Sequence, residues 1–327
     1  MVLMLLYLCC LLLGYFLGSR LRRYEEILGK PLNVLMLVIV SGLVFIMGIR
    51  MGSNEEIIAN LGTIGLQALL FTVVVVFGGV LSVTITRSFF HMDKLGRLRG
   101  QVVSSDCESA QERGDDEKTS SNLMTWLIVI FVVLGLLFGY FFIRTSVRDV
   151  DGFNAKAGTL MTVGLCVLLG TIGMDMGFSG TVAEQLKQVG LRVLLFPVAV
   201  LIGTTVTSAL LSFVLPLTLR ECLAIGYGFG WYTFAPVTIS GAGHVIAGAV
   251  SFMHNVIRET LGLVLIPVLA KKIGYIEVCS LPGVSATDIG LTIVEKATRP
   301  DIMVYAFAIG ISQNFLVPIL VPLAIGA

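Results

Sequence analysis

The stretch Gly226-Tyr227-Gly228-Phe229-Gly230-Trp231-Tyr232-Thr233 is too rich in glycine to continue a straight membrane helix. A second stretch, Pro282-Gly283-Val284-Ser285-Ala286-Thr287-Asp288-Ile289-Gly290, has the same character. Each stretch precedes a long apolar segment, at about 245–270 and 301–325. Irregular backbone at membrane depth persists only where it is buried in protein or lines a wet cavity. The sequence therefore predicts two broken, re-entrant segments that place their turns inside the membrane. The alternative is that residues 220–243 span the membrane fully.

The composition indicates an integral membrane protein. The chain has 327 residues, of which 56% are hydrophobic and 13% charged, with a net charge of +1. Soluble domains carry about 25% charged residues, so a soluble enzyme and a disordered chain are excluded. The balanced charge provides no basic surface for nucleic acid. With three histidines and no Cys-x-x-Cys pair, neither a metal site nor a cofactor is expected.

Six apolar segments precede the broken region, and each has about the 20 residues needed to cross a bilayer. They lie at 2–19, 32–50, 61–86, 123–143, 157–176 and 189–216. With the two long C-terminal helices, the prediction is an all-α polytopic membrane protein. It has about eight transmembrane helices and two broken segments.

The charges between the spans predict the orientation of the chain. Residues 19–31 and 87–99 are basic, whereas the loop with Glu55 and Glu56 is acidic. The positive-inside rule then places both basic loops in the cytoplasm and both termini outside the cytoplasmic membrane. Within the cytoplasmic loop 87–122, residues 102–122 are predicted to be disordered.

The chain carries an internal repeat. Shifting it by 125 residues aligns five pairs of glycines in one register, among them Gly78 with Gly203. Residues 1–86 and 123–217 form the two copies, and 218–327 form the region of the substrate site. Three spans per copy reverse the orientation of the second copy, so an inverted-topology repeat is predicted, as in many secondary transporters.

Buried charges are the first functional candidates. Glu259 lies near the middle of a membrane helix, where a carboxylate costs about 2.5–3.5 kcal/mol to insert, so a transport role is expected. Asp288 in the second broken segment is predicted to bind a cation or a proton, although a helix-capping role is the alternative. Arg258 adjoins Glu259, but consecutive helical residues diverge and do not face each other well.

Polar and aromatic residues near these charges complete the predicted site. Trp231 and Tyr232 suit stacking on an organic ammonium, or anchoring at the interface. His254 and Asn255 suit proton relay or substrate binding, or hydrogen bonds between helices. The remaining members of the predicted site are Ser285, Thr287, Gln313 and Asn314. The secondary candidates are Glu55 and the repeat-equivalent pair Arg50 and Asp175, for which charges at helix ends are the favoured interpretation.

These residues resemble the LysO-type lysine exporters. The resemblance rests on Gly228 to Tyr232, on Asn255 with Arg258-Glu259, on Gly283 to Asp288 and on Val317-Pro318. Met47-Gly48-Ile49 is similar to a pattern in the first half of the family. The resemblance covers nearly the whole chain outside the 87–122 loop.

The resemblance implies a carrier and not an enzyme. The expected activity is export of L-lysine and basic analogues in exchange for H+ or another cation such as Na+, by a monomer or a homodimer in the bilayer. The second broken segment and the residues after Tyr232 differ from the family pattern. Another amino acid or an organic ion therefore stays an alternative substrate. A channel and a structural membrane subunit are further alternatives.

Overall fold

A computed structural model describes residues 2–96, 130–146, 150–179, 193–287, 289–299 and 302–326 of the chain. The described residues form helices and turns, and no β-strand occurs among them. This confirms the all-α fold class. The predicted disordered stretch 102–122 lies outside the described residues.

The first part of the chain contains three long helices, α1 (Val2–Leu21), α2 (Glu25–Ser53) and α3 (Leu61–Phe89). The second part contains α4 (130–146, with a π-helical turn at Gly139–Ile143), α5 (Val150–Ser179) and α6 (Leu195–Leu211). Helix α2 begins seven residues before the predicted span and continues through Pro31 in its second turn. Helix α6 ends five residues before the predicted boundary, and the chain continues in turns.

Several helices of the chain are long and apolar enough to cross a membrane. They are Ile27–Ser53, Leu61–Phe89, Lys156–Asp175 and Met303–Ile325, with the shorter apolar helices Ile130–Ile143 and Leu195–Leu211. The protein is therefore a multi-pass membrane protein. The total of eight spans stays a prediction.

Glycines allow the helices of the two parts to pack backbone against backbone. A Cβ at Gly14 would collide with the carbonyl of Gly170, and a Cβ at Gly173 with that of Leu11. Gly78 and Gly203, which the internal repeat aligns, also face each other, since a Cβ at Gly203 would lie 2.5 Å from the Gly78 carbonyl oxygen. Small residues permit such close approach in membranes. The inverted orientation of the repeats stays a prediction.

The first broken segment consists of two short helices, α7 (Leu219–Gly226) and α8 (Ala235–Gly241). At about 1.5 Å per residue, neither helix is long enough to cross the hydrocarbon core. A capping box between Thr218 and Glu221 starts α7. Helix α9 (Val245–Ile273) then runs unbroken and carries the polar residues of the predicted site.

The second broken segment is also irregular. It includes the short helix Tyr275–Val278, the 3-10 turn Gly283–Thr287 and helix α10 (Ile289–Ala297). Helix α11 (Met303–Ile325) follows. Both interruptions that the glycine-rich sequence predicted are therefore present in the chain. Their re-entry from opposite sides of the membrane stays a prediction.

Candidate functional site

The two broken segments touch each other in the interior of the protein. The amide of Val284 donates a hydrogen bond of 2.9 Å to the carbonyl oxygen of Phe229. Phe229 and Gly230 have φ angles of 45° and 90°, and Gly283 has a φ of 71°. The Cα of Gly283 packs so closely on the Phe229 carbonyl that a Cβ would collide with it. We call this contact between 228–230 and 282–284 the crossing.

Asn255 fastens the crossing to helix α9. Its side-chain oxygen accepts a hydrogen bond of 2.7 Å from the amide of Gly230. Its side-chain nitrogen donates to the carbonyl oxygen of Ser251 at 2.8 Å. Asn255 is fully buried, and a Cβ at Gly228 would lie 2.6 Å from its nitrogen. Both the oxygen and the nitrogen of this side-chain amide are thus hydrogen-bonded within the protein, and they link the turn at Gly230 to α9.

Glu259 reaches the second broken segment one turn further along α9. The hydroxyl of Ser285 donates a hydrogen bond of 2.5 Å to its Oε1. Glu259 is half-buried, whereas Ser285 is buried. A carboxylate therefore lies beside the irregular backbone of the crossing, where a cation can bind between them.

Arg258 points toward the first broken segment. Its guanidinium lies over the ring of Phe229, with 5.4 Å between Cζ and the ring centroid. The residue is 1% exposed, and among the described residues neither Nε nor Nη1 has a hydrogen-bond partner. The adjacent charges Arg258 and Glu259 thus contact different broken segments, as their divergence on the helix predicts.

Helix α11 carries two side-chain amides of the predicted site, and one of them contacts the second broken segment. The Nδ2 atom of Asn314 donates to the hydroxyl of Thr287 at 3.2 Å, and that hydroxyl donates to the Val284 carbonyl at 3.0 Å. Gln313 is 1% exposed, and its two amide atoms have no hydrogen-bond partner within the described ranges. A buried amide without a partner is unusual in a protein interior, so Gln313 is a candidate to bind a ligand or water.

The other predicted residues lie at different distances from this arrangement. The Nδ1 atom of His254 is 2.9 Å from the hydroxyl of Thr72, and its ring packs against Phe71, so His254 links α9 to α3. Trp231 and Tyr232 are half-buried, and the Trp231 ring packs against Phe234 at 5.3 Å. Asp288 lies outside the described residues.

The secondary candidates lie away from the crossing. Arg50 is buried near the end of α2 and donates a hydrogen bond of 2.5 Å to the carbonyl oxygen of Ser240, in the last turn of α8. Glu55 is exposed and forms an ion pair of 2.6 Å with Arg144. Asp175 is also exposed. Arg50 therefore stabilises the end of a half-helix, and the two acids lie on the surface.

Comparison with known proteins gives the family. The family model "Lysine exporter LysO" matches residues 129–325, which include α9, α11 and both broken segments. The chain belongs to the LysO lysine exporter family. The lysine exporter LysO of Escherichia coli is 25% identical over 157 residues, which cover 48% of this chain and 52% of the relative. A putative lysine exporter of Haemophilus influenzae is 28% identical over 159 residues, which cover 48% of this chain and 79% of the relative.

The match to the E. coli relative has a limited extent. This LysO-family chain spans about half the length of that curated protein. The family itself is established by the longer match of its model, over residues 129–325.

Sequence reasoning missed a buried ion pair in this LysO-family protein. The Nε atom of Arg87 lies 2.5 Å from Oε1 of Glu277, and the hydroxyl of Thr84 donates to the same oxygen at 3.2 Å. The side chain of Glu277 is completely buried. Because both residues lie beside predicted loops, no sequence pattern indicates that they pair. The pair joins the end of α3 to the start of the second broken segment.

Proposed function

We propose that this chain exports L-lysine and related basic analogues across the cytoplasmic membrane, in exchange for protons or another cation. Membership of the LysO family supports the substrate. One observation carries the assignment of the site: the Glu259 carboxylate is hydrogen-bonded to Ser285 at the crossing of two broken segments. An acid inside a membrane helix is by default a functional residue.

Charge is the reason for proposing exchange. Lysine carries a net positive charge, and moving one charge against a membrane potential costs about 2.3 kcal/mol per 100 mV. Export of the cation alone therefore works only from a large internal excess. Entry of a proton or another cation offsets the charge that leaves.

Glu259 is the proposed exchange point. In one state its carboxyl group holds a proton and keeps the hydrogen bond with Ser285. Arrival of a lysine ammonium favours the carboxylate, and the proton leaves as the ion pair forms. Alternation between these states couples one proton to one lysine, and Asp288 is the second proposed member of the exchange.

Lysine counterflow in proteoliposomes tests the function. Vesicles loaded with unlabelled lysine should accumulate radiolabelled lysine through the wild type, and Glu259→Gln should abolish this exchange. Glu295→Gln is the matched control, because Glu295 is exposed on α10. Absence of counterflow in a folded wild type would contradict lysine as the substrate and favour another amino acid or an organic ion. Normal exchange by Glu259→Gln would contradict the proposed site.

The coupling ion needs a separate measurement. Lysine uptake should respond to an imposed pH gradient if protons are exchanged, and to an imposed Na+ gradient if sodium is. A rate of lysine uptake that is indifferent to both gradients would contradict cation exchange.

A further inference from the structure

Arg258 is a buried cation for which the described residues provide no counter-ion. Its side chain is 1% exposed, and its buried Nε and Nη1 atoms have no hydrogen-bond partner in the described part of the chain. Three ion pairs within the described ranges join Arg87 to Glu277, Arg144 to Glu55 and His244 to Glu221. Arg258 belongs to none of them.

The surroundings of Arg258 do not compensate its charge. The Phe229 ring provides a cation–π contact at 5.4 Å, which recovers only a small part of the cost of burying a guanidinium. His254 lies one turn earlier on α9. It is not an anion, and its Nδ1 already contacts the hydroxyl of Thr72. Buried arginines are normally paired with carboxylates or phosphates, because the guanidinium presents several donors in a fixed plane. Since the described residues supply no anion to the guanidinium, the site is suited to an anionic group of a ligand.

The position of Arg258 restricts the kind of anion. It follows Asn255, which holds the crossing, by three residues and precedes Glu259, which binds Ser285 of the second broken segment. Arg258 itself faces Phe229 of the first broken segment. A positive group and a negative group thus lie on two sides of one crossing. A ligand that carries a carboxylate and an ammonium complements both.

We infer that Arg258 binds the α-carboxylate of the transported substrate and so restricts transport to amino acids. This inference rests on the proposed function, in which Glu259 binds an ammonium group of lysine. Bound substrate places its carboxylate against the unpartnered guanidinium donors. Diamines and carboxamides leave these donors unpaired and are rejected.

Competition against lysine counterflow in the wild type tests the inference first. The competitors are lysinamide, in which a neutral amide replaces the carboxylate, and cadaverine, which lacks the carboxylate. Both keep two amino groups and a similar chain. Each should compete at least about 100-fold more weakly than lysine, because a buried charge that loses its partner is strongly unfavourable.

Substitution of the arginine provides the second arm. Arg258→Met should weaken competition by lysine while leaving lysinamide nearly unchanged, so the preference for lysine falls toward one. Arg258→Lys retains a cation without the planar fork and should keep part of the preference. Arg144→Met, in an exposed ion pair, is the control and should keep the full preference.

The outcomes separate this inference from the proposed function. Lysine counterflow that lysinamide inhibits as well as lysine does would overturn the carboxylate role alone. A slower Arg258→Met carrier with an unchanged preference would also overturn it, because a purely structural arginine affects rate or abundance and not selectivity. If the wild type exchanges no lysine, both proposals fail. If Arg258→Met does not fold, competition by lysinamide and cadaverine in the wild type still shows whether the site requires a carboxylate.

Discussion

At the scale of single residues, the buried polar groups of this protein are of two kinds. Some hydrogen-bond the backbone, and others have atoms without a hydrogen-bond partner among the described residues. Asn255 satisfies both ends of its amide within the fold. Arg258 and Gln313 have atoms without a hydrogen-bond partner among the described residues, although both are almost completely buried. A buried polar group without a partner is unfavourable, so these two, on the helices of the predicted site, are candidates to bind a ligand.

Asn255→Ala should destabilise the fold. The substitution leaves the buried amide of Gly230 without its acceptor, at a cost of about 1–3 kcal/mol. Asn33→Ala is the matched control, since Asn33 is exposed on α2. Thermal unfolding in detergent measures the difference. An Asn255→Ala protein as stable as the control would show that Asn255 does not hold the crossing.

Residue types explain which parts of the site were predictable. Asn255, Arg258 and Glu259 are recognisable because polar side chains are costly within an apolar helix. The contact of Glu259 with Ser285 was not predictable, because the two residues are 26 positions apart and lie on different elements. Nor did the sequence reveal that His254 faces Thr72 on α3, since a side chain's partner depends on how helices pack.

At the scale of elements, the crossing depends on backbone that approaches backbone. The crossing requires glycine at position 283 for two reasons. The φ of 71° disfavours any side chain, and the Cα packs on the Phe229 carbonyl. Breaks in the helices follow from glycine content and were predictable. The register in which the two breaks meet was not, because it is set by tertiary packing.

Gly283→Ala should prevent the crossing from forming. Overpacking costs about 1–3 kcal/mol, and the left-handed backbone about 1–2 kcal/mol more. Gly42→Ala is the control, because no atom lies within 4 Å of the added Cβ at that helical position. We expect the Gly283 variant to give little folded protein by size-exclusion chromatography, and the Gly42 variant to match the wild type. Wild-type yield and counterflow for Gly283→Ala would refute the close contact.

The ion pair between α3 and the second broken segment should contribute strongly to stability. Glu277→Gln removes one charge of a buried pair and should cost about 3–5 kcal/mol, because Arg87 is left uncompensated. The exposed pair is the control, and Glu55→Gln should cost at most about 1 kcal/mol. Thermal unfolding of the two variants compares the pairs. Equal, small losses would show that Arg87 and Glu277 are not paired in the folded protein.

At the scale of the whole molecule, two groups of contacts lie where the prediction places opposite faces of the membrane. Lys94 donates to the carbonyl oxygen of Lys272 at 3.1 Å, so the basic residues after α3 and in the last turn of α9 lie together. Glu221, at the start of α7, pairs with His244, which precedes α9, at 2.8 Å. The positive-inside rule predicts the loop with Lys94 in the cytoplasm, and six spans after an outside N-terminus predict Glu221 and His244 outside.

Labelling of single cysteines should reveal this orientation. Lys272 and Phe213 are both exposed, Phe213 in the turn after α6. In a chain whose native cysteines are replaced, an impermeant maleimide should label Phe213→Cys in intact cells. The same reagent should label Lys272→Cys only after the cells are permeabilised. Labelling of Lys272→Cys in intact cells would reverse the predicted orientation.

Direct binding of lysine tests the central claim, that the crossing with Glu259 forms the substrate site. Equilibrium binding of radiolabelled lysine to purified protein should be saturable for the wild type and for Glu295→Gln, and lost for Glu259→Gln. Equal binding by all three proteins would contradict the account, because lysine would then bind at a place where Glu259 has no part.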